Sequence, residues 1–231
     1  MKYHNTVPGK FIVRRNRFVA EVEIAGKTEV VHVKNTGRCK ELLIPGVEVY
    51  LEKSLAPARK TRYDLIAVKK LRPGKAALLI NMDSQIPNAA ALEWLPKSGL
   101  FSPDAVFKRE MTFGNSRFDI FVEDHARKVF IEVKGVTLEH NGVAMFPDAP
   151  TLRGVKHLHE LADAVKAGYE ACILFVIQMQ EIHTFAPHDQ MHKEFGDALR
   201  QAAGAGVKLL AMDCRIEPDS IELRQPVKIR L

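Results

Sequence analysis

The residues of this 231-residue chain best suited to chemistry are Asp119, Glu132 and Lys134. Two runs rich in Phe, Ile and Val, Arg117 to Val122 and Lys128 to Lys134, flank the polar segment Asp124 to Arg127. That is the pattern of two paired strands with a short connection. With Glu123 and Lys128 closing the loop, Asp119 falls opposite Glu132. Facing Cβ atoms in an antiparallel pair are roughly 4.5–5.5 Å apart, so like charges there repel. Alternation along a strand puts Glu132 and Lys134 on one surface and Ile131 and Val133 on the other. Two carboxylates and an ammonium on one surface suit a hydrolase that holds Mg²⁺ or Mn²⁺ through oxygen, with the lysine orienting or deprotonating the attacking water. Phosphodiester cleavage is the reaction class such a set serves. Taken alone, the same residues read equally well as an ion network on a solvated strand face.

The surrounding text separates those readings. Asp119 followed by Glu132-Val133-Lys134 resembles the PD-(D/E)xK nuclease core, with Phe118 where the namesake proline often stands. More specific are Ser116-Arg117-Phe118-Asp119, Glu132 to Leu138, and Phe146-Pro147-Asp148-Ala149-Pro150-Thr151-Leu152-Arg153-Gly154-Val155-Lys156-His157-Leu158. Together with Asn35-Thr36-Gly37-Arg38 they resemble the SfsA family, named for sugar fermentation stimulation, over essentially the whole chain. The nuclease-core resemblance implies metal ligation by Asp119 and Glu132, helped by the Val133 carbonyl. Glu110, on the preceding strand-like run Phe107 to Phe113, is a candidate third carboxylate near the metal. The family name implies an alternative function, a non-enzymatic DNA-binding regulator of sugar-utilisation genes.

Charge is unevenly spread. Residues 1 to 87 hold 17 Lys and Arg against 8 Asp and Glu, and residues 88 to 231 hold 17 against 20. A basic module joined to an acidic, metal-compatible one fits capture of a polyanion by the first for processing by the second, so nucleic acid, DNA or RNA, is the expected partner. A homodimer is a further candidate assembly. No apolar run approaches the roughly 20 residues of a membrane span, and the start, Met1-Lys2-Tyr3-His4-Asn5, is too polar for a signal peptide. The expectation is a cytoplasmic protein with no membrane partner. Cys39, Cys172 and Cys214 lack the spacing of a disulfide framework or a zinc site.

Six short strand-like runs lie between Phe11 and Ile80, separated by turn signals such as Gly26-Lys27, Pro45-Gly46 and Pro73-Gly74. They predict an all-β, OB-like barrel over residues 1–82, a fold that binds single-stranded nucleic acid on a basic face. Arg14, Arg15, Arg38 and Lys40 are its candidate phosphate contacts, with Asn35 in the glycine turn that presents Arg38. Residues 83–231 are expected to form an α/β, restriction-endonuclease-like domain with a mixed sheet. Asn81 to Asn88 reads as the linker between the two, Ala89 to Leu95 as a helix, and Val136 to Pro150 as an irregular connection. Thr151 caps a helix running to Gly168 whose first turns carry Arg153, Lys156 and His157 on one face. These three, with Arg117 on the hairpin, are the candidate contacts to the polymer beside the scissile bond.

Overall fold

In the computed structural model, residues 1–35, 37, 39–55 and 59–231 are described. The chain divides into two compact units, one made of Met1–Ile86, Gln178–Gln180 and Cys214–Glu222, the other of Pro87–Ile177, Glu181–Asp213 and Leu223–Leu231.

The first unit is built on six strands: β1 (Thr6–Arg14), β2 (Val19–Ile24), β3 (Lys27–Val33), β4 (Glu48–Lys53), β5 (Tyr63–Arg72) and β6 (Lys75–Asn81). The first strand changes partner half-way. Its residues Thr6 to Lys10 pair with β4, and Lys10 to Arg14 pair with β2 across a register shift between Phe11 and Val13. A parallel pairing of β3 with β5, His32 to Asp64 and Val33 to Leu65, completes the ring β1-β2-β3-β5-β4. The result is a closed five-stranded barrel with β6 added on the edge of β5. Gly9 sits where β1 passes close to two neighbours: a Cβ there would lie 2.6 Å from Val22 Cγ1 and 2.9 Å from the Glu23 carbonyl oxygen. Only glycine allows that approach. Val22, Val31, Val49, Leu51 and Leu65 fill the interior.

The second unit begins with α1 (Ile86–Trp94) and a 3₁₀ turn at Leu95–Lys97. The helix starts three residues earlier than the sequence predicts, because Pro87 falls in the first turn, where its missing N–H costs nothing. Strands β7 (Val106–Phe113), β8 (Ser116–Asp124) and β9 (Arg127–Val136) follow. The expected irregular connection is instead a small hairpin, β10 (Leu138–His140) and β11 (Val143–Phe146). After it come α2 (Leu152–Lys166), β12 (Glu170–Ile177), β13 (Thr184–Pro187), α3 (Lys193–Gly204), β14 (Lys208–Glu217), β15 (Ser220–Pro226) and β16 (Lys228–Ile229).

The main sheet runs β15-β14-β12-β9-β8-β7, antiparallel from β7 to β9 and parallel from β9 through β12 to β14. Its central strand β12, Glu170-Ala-Cys-Ile-Leu-Phe-Val-Ile177, is buried from Ala171 onward, as an apolar run covered on both faces must be. A second sheet, β10-β11-β13-β16, leaves no mark in the sequence, since β13 and β10 are too short to show a period. Phe175 stacks on Phe185 at 4.1 Å between ring centres. Helix α2 buries Gly154, His157, Leu158, Leu161 and Ala164, so of the stripe Leu158, Leu161, Ala162 and Val165 that the sequence suggests only the two leucines are fully buried. Thr151 caps this helix by accepting the Gly154 amide at 3.0 Å.

Candidate functional site

The hairpin forms as its sequence dictates. Pairing runs from Asp124–Arg127 to Ile120–Ile131, leaving His125 and Ala126 as a two-residue turn. Beyond Ile120 the ladder gives way to a side chain. The Val133 amide donates to Asp119 Oδ2 at 2.8 Å. Asp119 is thereby held against β9, two positions into the Glu-Val-Lys run. Its other oxygen accepts from Asn88 Nδ2 of α1 at 2.8 Å. Burial raises the Asp119 pKa, the charge of Glu132 raises it further, and the two hydrogen bonds only partly offset them.

Glu132 is 2% exposed. Its donors all converge on one oxygen: Lys134 Nζ reaches Oε1 at 2.5 Å, and His157 Nδ1 of α2 is hydrogen-bonded to the same atom. The second oxygen, Oε2, is buried and has no hydrogen-bond partner. Burial alone would raise the Glu132 pKa, but the His157 hydrogen bond and the Lys134 charge outweigh it and hold the group below the usual carboxylate range. Behind this pair, Arg153 Nε donates to His157 Nε2 at 3.3 Å, and the His157 ring packs edge-on to Phe118 with centres 5.8 Å apart. Phe118 is itself fully buried.

This arrangement has the character of a cation site. An ionised carboxylate oxygen buried without a donor costs free energy unless something positive meets it. Among the described residues no three His, Cys, Asp or Glu side chains lie close enough to hold a metal by themselves. That is compatible with Mg²⁺, which keeps several waters and takes only one or two carboxylates from the protein. The residues that would hold such an ion are Asp119 and Glu132, with Val133 joining through its backbone.

A model of the sugar fermentation stimulation protein RE domain matches residues 85–220, and a model of the SfsA N-terminal OB domain matches residues 12–80. The chain belongs to the SfsA family. A sugar fermentation stimulation protein homolog from Desulfitobacterium hafniense is 57% identical over 231 residues, covering 100% of this chain and 99% of its own. One from Clostridium beijerinckii is 53% identical, covering 100% of both. Among solved structures, that of Pyrococcus furiosus SfsA in complex with Ca²⁺ is similar with a TM-score of 0.87 at 29% identity, over 100% of this chain and 98% of that one. The barrel is thus the OB domain of SfsA, and the sheet unit is the α/β domain that follows it.

Several residues of this SfsA chain stand elsewhere than its sequence suggests. Arg14, expected to meet phosphate, donates instead to the carbonyls of Asn16, Arg17, Asn35 and Gly37, the last three at 2.7 Å. A planar guanidinium with five donors closes a loop of carbonyls well, and that is how it is used. Asn35 is equally committed, donating to the Met82 carbonyl at 2.8 Å and accepting the Gly37 amide at 2.7 Å. Arg15 pairs with Glu21. Arg38 lies outside the described residues, while Lys40 is exposed. Glu110 is exposed, lies 3.5 Å from Arg117 Nη1, and has a left-handed backbone with φ 56°. It pairs outward with Arg117 instead of adding to the two carboxylates. Lys156 donates to the Asn115 carbonyl at 2.7 Å. His157, expected to face the polymer, is 4% exposed and faces Glu132. Its position follows from the helical stripe: three after Gly154 and four before Leu161, it lies on the buried side.

Asn88 was missed. Read as linker, it is in the first turn of α1 and one bond from Asp119. The signal available was Pro87, which marks a helix start as readily as a linker.

Proposed function

We propose that this SfsA chain is a divalent-metal-dependent nuclease, with a PD-(D/E)xK-like core in which Asp119 and Glu132 hold Mg²⁺ or Mn²⁺ and Lys134 positions the attacking water. The observation that carries this reading is the division of labour on Glu132, where every donor meets Oε1 and the buried Oε2 is left to face a cation. Beside it Asp119 has a raised pKa partly because of the Glu132 charge, a repulsion that a shared cation removes. The related protein from Pyrococcus furiosus was solved in complex with Ca²⁺, another hard cation that takes oxygen ligands.

A bound Mg²⁺ or Mn²⁺ supplies an acidified water and polarises the phosphoryl oxygen. The chain's own residues do the rest. Asn88 and the Val133 amide hold Asp119 in one rotation. The Lys134 ammonium, anchored on Glu132, stands at the site's edge where it can orient water toward phosphorus. Nucleic acid is the polymer best matched to the basic OB domain, whose exposed Arg17 and Lys40 remain available for phosphate.

The test is cleavage of labelled single- and double-stranded DNA and RNA in Mg²⁺, Mn²⁺ or EDTA, comparing wild type with Asp119→Ala and Lys134→Ala. Metal-dependent cleavage is expected in wild type only, with nucleic-acid affinity nearly unchanged in Lys134→Ala. Binding without cleavage in every condition would overturn the nuclease and leave a DNA-binding regulator.

A further inference from the structure

His157 belongs to helix α2 and Glu132 to strand β9, and they meet inside the unit, 4% and 2% exposed. Two facts fix the imidazole. Arg153 Nε always carries its proton and can only donate, so His157 Nε2 is the acceptor of that 3.3 Å bond. Nδ1 is therefore the ring's donor, and it donates to Glu132 Oε1. The third contact is with Phe118 of β8, which the ring meets edge-on.

We infer that His157, set by Arg153, is a positioning residue that locks the rotation of Glu132 and so assigns Oε1 to the protein and Oε2 to the metal. The inference rests on the metal-site reading above and adds to it a control exerted from α2. Lys134 alone cannot lock that rotation, because a flexible ammonium follows whichever oxygen is nearer. A planar ring held at both nitrogens and on its edge cannot follow. Outer partners of this kind typically change metal affinity by about 10–100-fold when removed. The role also explains why Arg153, exposed on the first turn of the helix, turns along its own helix to residue 157.

Two measurements on the intact chain test this. The first is ¹⁵N NMR of the metal-free protein, which reads the imidazole tautomer directly. The expected result is a protonated Nδ1 and a bare Nε2 at His157. A wild-type ring protonated on Nε2 would overturn the assignment whatever the metal does. The second is titration with Mn²⁺ alone, followed by calorimetry. His157→Ala should weaken binding by about 10-fold or more, and His157→Asn, whose amide nitrogen stands near the place of Nδ1, should recover most of it. Thermal melts show whether each variant is folded, and the Asn variant separates positioning from packing. Equal Mn²⁺ affinity in wild type and His157→Ala overturns the positioning role while leaving the metal site standing. Absence of Asp119-dependent Mn²⁺ binding in wild type overturns the metal reading and this inference together.

Discussion

At the scale of single residues, the site is a contest between burial and charge that Asp119 loses and Glu132 wins. Both are carboxylates out of water, but Glu132 has two cationic or polarised donors and Asp119 has two neutral amides and a like charge. Their consequences for stability therefore have opposite sign. Glu132, with its pKa depressed by folding, contributes stability that is present above the unfolded carboxyl range and lost as pH falls through the folded value. Asp119, with its pKa raised, favours folding below the unfolded value and loses that contribution as pH rises through the raised one. Replacing Asp119 by Asn removes the buried charge while Asn88 can turn its amide to meet it. The metal-free Asp119→Asn protein should therefore gain stability over wild type, on the order of 1 kcal/mol at pH 8 and less at pH 4. Calorimetric melts across that range check it; a gap that shrinks with rising pH would contradict the assignment. Saturating Mn²⁺ should stabilise wild type and leave the variant unmoved.

The elements matter because none of the site residues is adjacent to its partner in sequence. Asp119 comes from β8, Glu132 and Lys134 from β9, Asn88 from α1, and His157 with Arg153 from α2. Helix α2 is anchored at its start by Thr151, and Gly154 makes room both for that cap and for Phe195 of α3, since a Cβ there would be 2.9 Å from Thr151 Cγ2 and 3.2 Å from Phe195 Cε2. Thr151→Ala should cost about 1 kcal/mol, read as a lower midpoint in urea unfolding. Thr151→Ser, which keeps the acceptor, should recover most of it. In the barrel, Gly9→Ala should cost roughly 1–3 kcal/mol, because the crossing of β1 over β2 and β4 has no space for a methyl group. A Gly9→Ala protein as stable as wild type would mean that β1 can shift without disturbing the ring.

For the molecule as a whole, charge is the property that links binding to chemistry. The OB domain carries most of the positive excess, but Arg14 and Arg15 are spent on carbonyls and on Glu21, so the net charge overstates the cations free for phosphate. If Arg17 and Lys40 each meet a phosphate, then the Arg17→Ala, Lys40→Ala double variant should lower affinity for nucleic acid and reduce the slope of log K against log salt by roughly 1.4–1.8, at ~0.7–0.9 per contact. Arg14→Ala should instead destabilise the folded protein. Fluorescence anisotropy over a salt series, alongside thermal melts, distinguishes the two kinds of arginine. No helix among the described residues is long and apolar enough to cross a membrane.

What the sequence determined by itself is whatever depends on local pattern. Short strand-like runs between turn signals marked the barrel strands, and Thr151 marked the start of α2. The hairpin register followed from the turn at Asp124 to Arg127, which sets Glu123 opposite Lys128. The tertiary structure decided what depends on which way a side chain turns once its element is packed. His157 and Arg153 share a helix face with Lys156 in the sequence, yet one lies in the core against Glu132 and another on the surface, because the helix buries only the stripe that touches the sheet. Arg14 and Asn35 look like ligands for phosphate until the chain folds back and offers them carbonyls. Asn88 acquires a role only because α1 ends up beside β8. Polar side chains take the partners that packing brings within about 3 Å, and the deciding ones, Met82 for Asn35, Asp119 for Asn88 and Glu132 for His157, are distant in sequence, so no local pattern announces them.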